Sequence, residues 1–171
     1  MPAAAGLKGG EAVAQSMVNA LGTYLNTEID AISTAWGDSV PLPHVPSANI
    51  YTMLRKAIPA EGVAIVVTPF SGRQLVNHAT DWGQIAHRIE VDVVCQSDDQ
   101  YIVQAQLDRY LTAIWQVVMK YPQLDSSIIW ITGCDPVQYA RSTVYPSQQN
   151  PALIEAWGAW EVDIYVDQLT S

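Results

Sequence analysis

Residues 88–94 read RIEVDVV and residues 159–166 read AWEVDIYV, so the chain carries a Glu-Val-Asp core twice, each time inside a run that alternates apolar and polar side chains. Glu90, Asp92, Glu161 and Asp163 are the residues whose type and spacing could do chemistry. Paired carboxylates work as general acid and base where burial splits their pKa values. A hard cation is cradled where a carbonyl or further oxygen ligands join them. Nothing near Glu161 or Asp163 in sequence supplies such a group, and His87 falls with the valines by parity. With a period of two the valines face a core and the acids fall opposite, as on any half-covered sheet. The expectation is a solvated acidic face, with Arg88 balancing charge beside Glu90 and Asp92.

The remaining candidates for chemistry are sparse. His44, His78 and His87 lie on a proline-rich stretch and on one hairpin, without the spacing of four used by helical zinc sites. No GxSxG elbow, P-loop or GxGxxG turn occurs; GVAIVVTPFSG at 62–72 lacks the Lys and a further Gly. Cys95 and Cys134 stand 39 positions apart with no CxxC pair, and each reads as a small buried hydrophobe. The sequence thus reads as a protein that is not an enzyme, with no catalytic residue, cofactor or metal.

Six Trp and eight Tyr accompany a single Phe. Trp and Tyr join a large apolar area to a polar tip and serve interfaces as well as cores. Trp115 and Trp130 are expected within or beside the core. Trp82 at a hairpin tip, and Tyr139, Arg141 and Tyr145 around a late loop, are expected at an interface.

These residues need elements to hold them. In 171 residues a single domain buries roughly 70% of the surface its unfolded chain exposes. Residues 1–9 read as a flexible start and 10–171 as one α+β domain. Val13, Met17, Ala20, Leu21, Tyr24 and Ile32 mark an amphipathic helix over 10–34. VPLPHVP, at 40–46, is an extended connector. VAIVVT, at 63–68, is a buried strand closed by Pro69. A hairpin turning at Asp81, Trp82 and Gly83 follows, and Ile89, Val91, Val93 and Cys95 share its buried side. Ser97, in SDDQ, is the expected cap of a long helix to Lys120, with Gln100 closing a capping box. SIIWIT, at 127–132, is a strand; GCDPVQYARSTVYPSQQNP, at 133–151, is a loop with a short strand around 139–144. Trp160, Val162, Ile164 and Val166 alternate along a closing strand. The order predicts a largely antiparallel sheet with two long helices packed on one face.

The charge narrows the partners. Charged residues make up only 15% of the chain, fewer than the roughly 25% usual in soluble domains. Eight Lys and Arg against seventeen Asp and Glu leave −9, the wrong sign for tight nucleic-acid binding. No apolar run reaches signal-peptide length or the ~20 residues of a membrane span, so synthesis in the cytoplasm and no membrane partner are expected.

An amphipathic helix, a proline-rich connector, a strand, RIEVDVV running into a capped helix, and the closing WEVDIYVD together resemble the tail terminator, or tail-completion, proteins of long-tailed bacteriophages over about Val13 to Asp167. The resemblance implies a virion subunit, made in the host cytoplasm. It would close into a six-membered ring on the tail tube protein, end its polymerisation and join the tail to a head connector or stopper protein. In such a ring an acidic lumen would let DNA pass without sticking. A head completion or stopper protein of the neck, or a small-molecule-binding α+β domain, is the alternative. A deep pocket with convergent polar groups would distinguish the last of these.

Overall fold

A computed structural model of the chain describes residues 9–52, 62–78, 82–127, 130–148 and 150–169, with backbone alone at 74, 76–78, 82, 168 and 169. It is an α+β fold of two long helices and a six-stranded mixed sheet. Helix α1 spans Gly9–Trp36, strand β1 Ile50–Thr52, β2 Val63–His78, β3 Trp82–Ser97, helix α2 Gln100–Lys120, β4 Ile131–Arg141, β5 Tyr145–Pro146 and β6 Ile154–Leu169. The sheet order is β1-β2-β3-β6-β4, with β5 on β6; among the described strands only β1 runs parallel to its neighbour.

Both helices lie on one face, as the sequence predicts. The stripe of α1 buries Val13, Met17, Leu21, Leu25 and Ile29, and that of α2 buries Val103, Leu107, Tyr110, Ile114 and Val117. They close over Ile65 and Val67 of β2, Ile89, Val91 and Val93 of β3, and Val162, Ile164 and Val166 of β6 in one core. Cys95 and Cys134 are free and buried in it, and desolvation pushes the Cys134 thiol up to about 12. The helices run antiparallel: Arg109 meets Asp38, Lys120 meets Glu28 at 2.7 Å, Tyr24 stacks on Tyr121, and Asn19 donates to Asp125 at 2.7 Å.

The proline connector is held by α2. Prolines donate no amide, but their carbonyls still accept. Gln106 Nε2 donates to Pro41 O at 2.7 Å, Tyr110 Oη to Pro43 O at 2.7 Å, and Arg109 to Val40 O while pairing with Asp38. Gly37 ends α1 at φ 59°, the left-handed conformation that glycine adopts without strain, and its N–H reaches Ser33 O.

Four local expectations change. Ser97 does not cap α2: it is still in β3, opposite Ile154, and its hydroxyl accepts from Asp99 N. Asp99, in extended conformation, takes the cap through bonds from Tyr101 N at 2.7 Å and Ile102 N at 3.1 Å. Pro69 does not end its strand, because β2 absorbs it at an irregularity between Pro69 and Ser71, where a missing donor is tolerated. The stretch read as a loop after Thr132 is largely strand, with Pro136 likewise beside a register shift in β4. Trp130 is not a core residue: it precedes β4 and is 74% exposed.

The open sheet face as a candidate interface

The repeated Glu-Val-Asp cores turn out to be neighbours. Strands β3 and β6 are antiparallel with Val91 opposite Trp160, Glu90 opposite Glu161 and Arg88 opposite Asp163. Val91 and Val162 are fully buried under the helices, and the acids occupy the face that the helices leave bare. The period-two reading of these residues therefore holds for the burial of the valines and the side taken by the acids.

The face is more organised than a solvated one. Like charges directly opposite each other repel, and Glu90 faces Glu161. Arg88 answers this with a fork onto Asp163, Nε at 2.8 Å and Nη2 at 3.0 Å, and approaches Glu161 at 3.5 Å. Planar guanidinium matches carboxylate geometry, which is why an arginine suits this place. Farther along, Trp157 Nε1 donates to Asp92 Oδ1 at 2.8 Å and Tyr145 Oη to Glu155 at 3.1 Å. Burial raises the pKa of Asp92; burial first, and then the neighbouring Asp92, raise that of Glu90.

Across β1, β2, β3, β5 and β6 this end of the face forms a groove of about 470 Å³, with Tyr51, Tyr145 and Trp157 as its aromatic walls and Glu90, Asp92 and Glu155 as its acids. Ala64, Val66 and Val94 form its apolar floor. Among the described residues no group of three or more His, Cys, Asp or Glu is arranged to hold a metal ion. Among the described residues no helix is long and apolar enough to cross a membrane.

The predicted interface residues are distributed over three places. Tyr139 is 60% exposed on edge strand β4, tilted against Trp160 at 5.0 Å between ring centroids. Arg141, on the same strand, donates through Nη1 to both carboxylate oxygens of Asp108 of α2, at 2.6 and 2.8 Å. Tyr145 lies across the sheet in the groove. Trp82 starts β3 opposite His78 and Leu169, at the far end of the long strands; its side chain lies outside the described residues, as does that of His78. His44 is exposed and paired with Asp30, whereas His87 is buried with Nε2 unpartnered, so burial lowers its pKa.

Trp157 was missed by sequence reasoning. Its signal is parity: Glu155, Trp157, Ala159, Glu161 and Asp163 alternate on one side of a strand that begins six residues before Trp160.

The fold defines a single-sheet α+β protein with helices on one face and a carboxylate-rich groove on the other. No family model matches the chain, and no curated protein does. Among solved structures it is similar to a chain of the "Virion of native gene transfer agent (GTA) particle", at 9% identity and a TM-score of 0.41, over 85% of this chain and 94% of that one.

Proposed function

We propose that the protein is a tail terminator: a virion subunit that closes with its own copies into a six-membered ring on the tail tube, stops tube growth and offers the head connector or stopper a docking surface. It acts by binding and not by catalysis. One observation carries this reading: the sheet is finished on one side only. The helices cover one face. Among the described residues the outer edge of β4, and that of β2 beyond Val67, have no strand beside them. Two different edges on opposite sides of a subunit suit head-to-tail contacts, the kind that close into rings. Exposed Trp130, Val137 and Tyr139 at the β4 edge and Phe70 on β2 supply apolar surface for them.

The test is sedimentation and electron microscopy of the purified protein with and without isolated tail tubes. Rings, or caps on tube ends, are expected, and Tyr139→Ala or Trp82→Ala should weaken association while circular dichroism stays unchanged. Interface aromatics commonly contribute about 2 kcal/mol or more. A wild-type protein that stays monomeric and leaves tubes uncapped refutes the proposal.

A further inference from the structure

We infer that the groove on the open sheet face is a docking site for an arginine-bearing extended segment of another protein. Charge complementarity names the occupant. Glu90, Asp92 and Glu155 converge on the groove, and no cation is among its described lining residues. Of the described cations, Arg88, Arg109, Lys120 and Arg141 are held in ion pairs elsewhere, and Arg73 lies towards the other end of the face, beside Arg88 and Asp163. Phosphate ligands would meet the same acids and be repelled.

The walls favour arginine over lysine. The Trp157 indole is fixed through its N–H to Asp92, and the Tyr145 hydroxyl is fixed to Glu155, so both rings are positioned beside carboxylate oxygens. A guanidinium can stack on an aromatic face while its edge forks onto a carboxylate; an ammonium offers no such plane. Val66 and Val94 give the arginine methylenes an apolar floor. Behind Glu155, Gln96 is only 7% exposed; its amide donates to Glu155 and Ser147, and its carbonyl oxygen has no donor among the described residues, which adds to the negative potential there. A second copy presenting this same face is disfavoured, because the face is acidic overall. Burial has already raised the pKa values of Glu90 and Asp92, and an incoming cation would offset that cost. The inference is independent of ring formation.

The probe is the tripeptide acetyl-Ala-Arg-Ala-amide, titrated against ¹⁵N-labelled full-length protein, with the citrulline tripeptide as its neutral counterpart. The readout is the Trp157 indole N–H resonance, assigned by its disappearance in Trp157→Phe. A saturable shift with the arginine peptide and little with citrulline is expected, at millimolar affinity for so small a ligand. Glu90→Gln/Asp92→Asn, which keeps an acceptor for the Trp157 N–H, should weaken the response about tenfold with its spectrum otherwise preserved. No shift at about 10 mM peptide, equal shifts with both peptides, or an undiminished response in the folded double variant overturns the inference. So does self-association that the double variant abolishes, because the groove would then hold a second copy. A failure to ring or to cap tubes leaves each of these readouts intact.

Discussion

Removing the Asp99 carboxylate should destabilise the protein more than removing the Ser97 hydroxyl, the reverse of what the SDDQ motif suggests. Asp99 accepts from two of the first backbone N–H groups of α2, at 2.7 and 3.1 Å, and adds a negative charge at the positive end of a 21-residue helix. Asp99→Ala leaves both donors to water and removes that charge, a loss of about 1–2 kcal/mol. Ser97 accepts one bond, from Asp99 N at 3.2 Å, at an exposed position, and its backbone stays tied to β6. Ser97→Ala should therefore cost about 0.5 kcal/mol or less. For a domain of this size the Asp99 loss lowers the midpoint of thermal unfolding by roughly 3–6 °C. Urea unfolding at constant slope separates the two variants. If Ser97→Ala costs as much as Asp99→Ala, the cap is at Ser97 and the reasoning from the observed geometry fails.

Gly158→Ala should cost about 1–3 kcal/mol in urea unfolding, because an added Cβ would lie 2.9 Å from Leu111 Cδ1, 3.1 Å from Leu107 Cδ1 and 3.2 Å from the Ala140 carbonyl of the adjoining strand, and only the leucines can yield. Val91→Asp places a charge at a fully buried position beneath the helices and should leave little folded protein by circular dichroism. Asp163→Asn breaks the fork with Arg88 and should cost about 1 kcal/mol, whereas Glu90→Gln relieves a carboxylate facing Glu161 and should be neutral or slightly stabilising. Acid should act through two opposed groups. The unfolded chain protonates its imidazole near pH ~6.5 before buried His87 does, so stability falls as pH drops through that value. Glu90 and Asp92, with raised pKa values, take up protons in the folded state first and offset part of the loss nearer the carboxylate range. His87→Leu should flatten the decline between about pH 7 and 5; an unchanged slope would show that His87 does not set it.

Periodicity carried the sequence reading wherever one face of an element meets the core. Ile89, Val91, Val93 and Cys95 alternate, and so do Val162, Ile164 and Val166, because each strand has one covered face. The stripe from Val103 to Val118 marks α2 for the same reason. It failed where no such contrast exists. β4 reads as a loop because Gly133, Asp135 and Pro136 are poor strand formers; it forms because β6 offers a partner and register shifts absorb the misfits. Trp130 looked like core by residue type alone, since nothing in its neighbourhood records that the strand begins one position later. The groove was half legible: the acids and their side of the sheet follow from parity, while Tyr51 arrives from a three-residue parallel strand and Tyr145 from a two-residue one, too short to announce themselves.

The clasp of α2 on the proline connector has a consequence for how the molecule opens. Pro41, Pro43 and Pro46 have no amide hydrogens, so the bonds that the Pro41 and Pro43 carbonyls accept from α2 are not read at the prolines themselves, whereas the Val40 and Val45 N–H groups are held by Asp38 and Asn26. The connector's attachment is reported by Val40 and Val45 and by the helices it joins. Detaching the end of α1 breaks the bonds of Gln106, Arg109 and Tyr110 as well as the Lys120–Glu28 pair, so the two helices should open as one cooperative unit instead of fraying separately. Slowly exchanging amides in the middle of α1 and of α2 should then share one opening free energy, and Tyr110→Phe, which releases only Pro43, should lower both together.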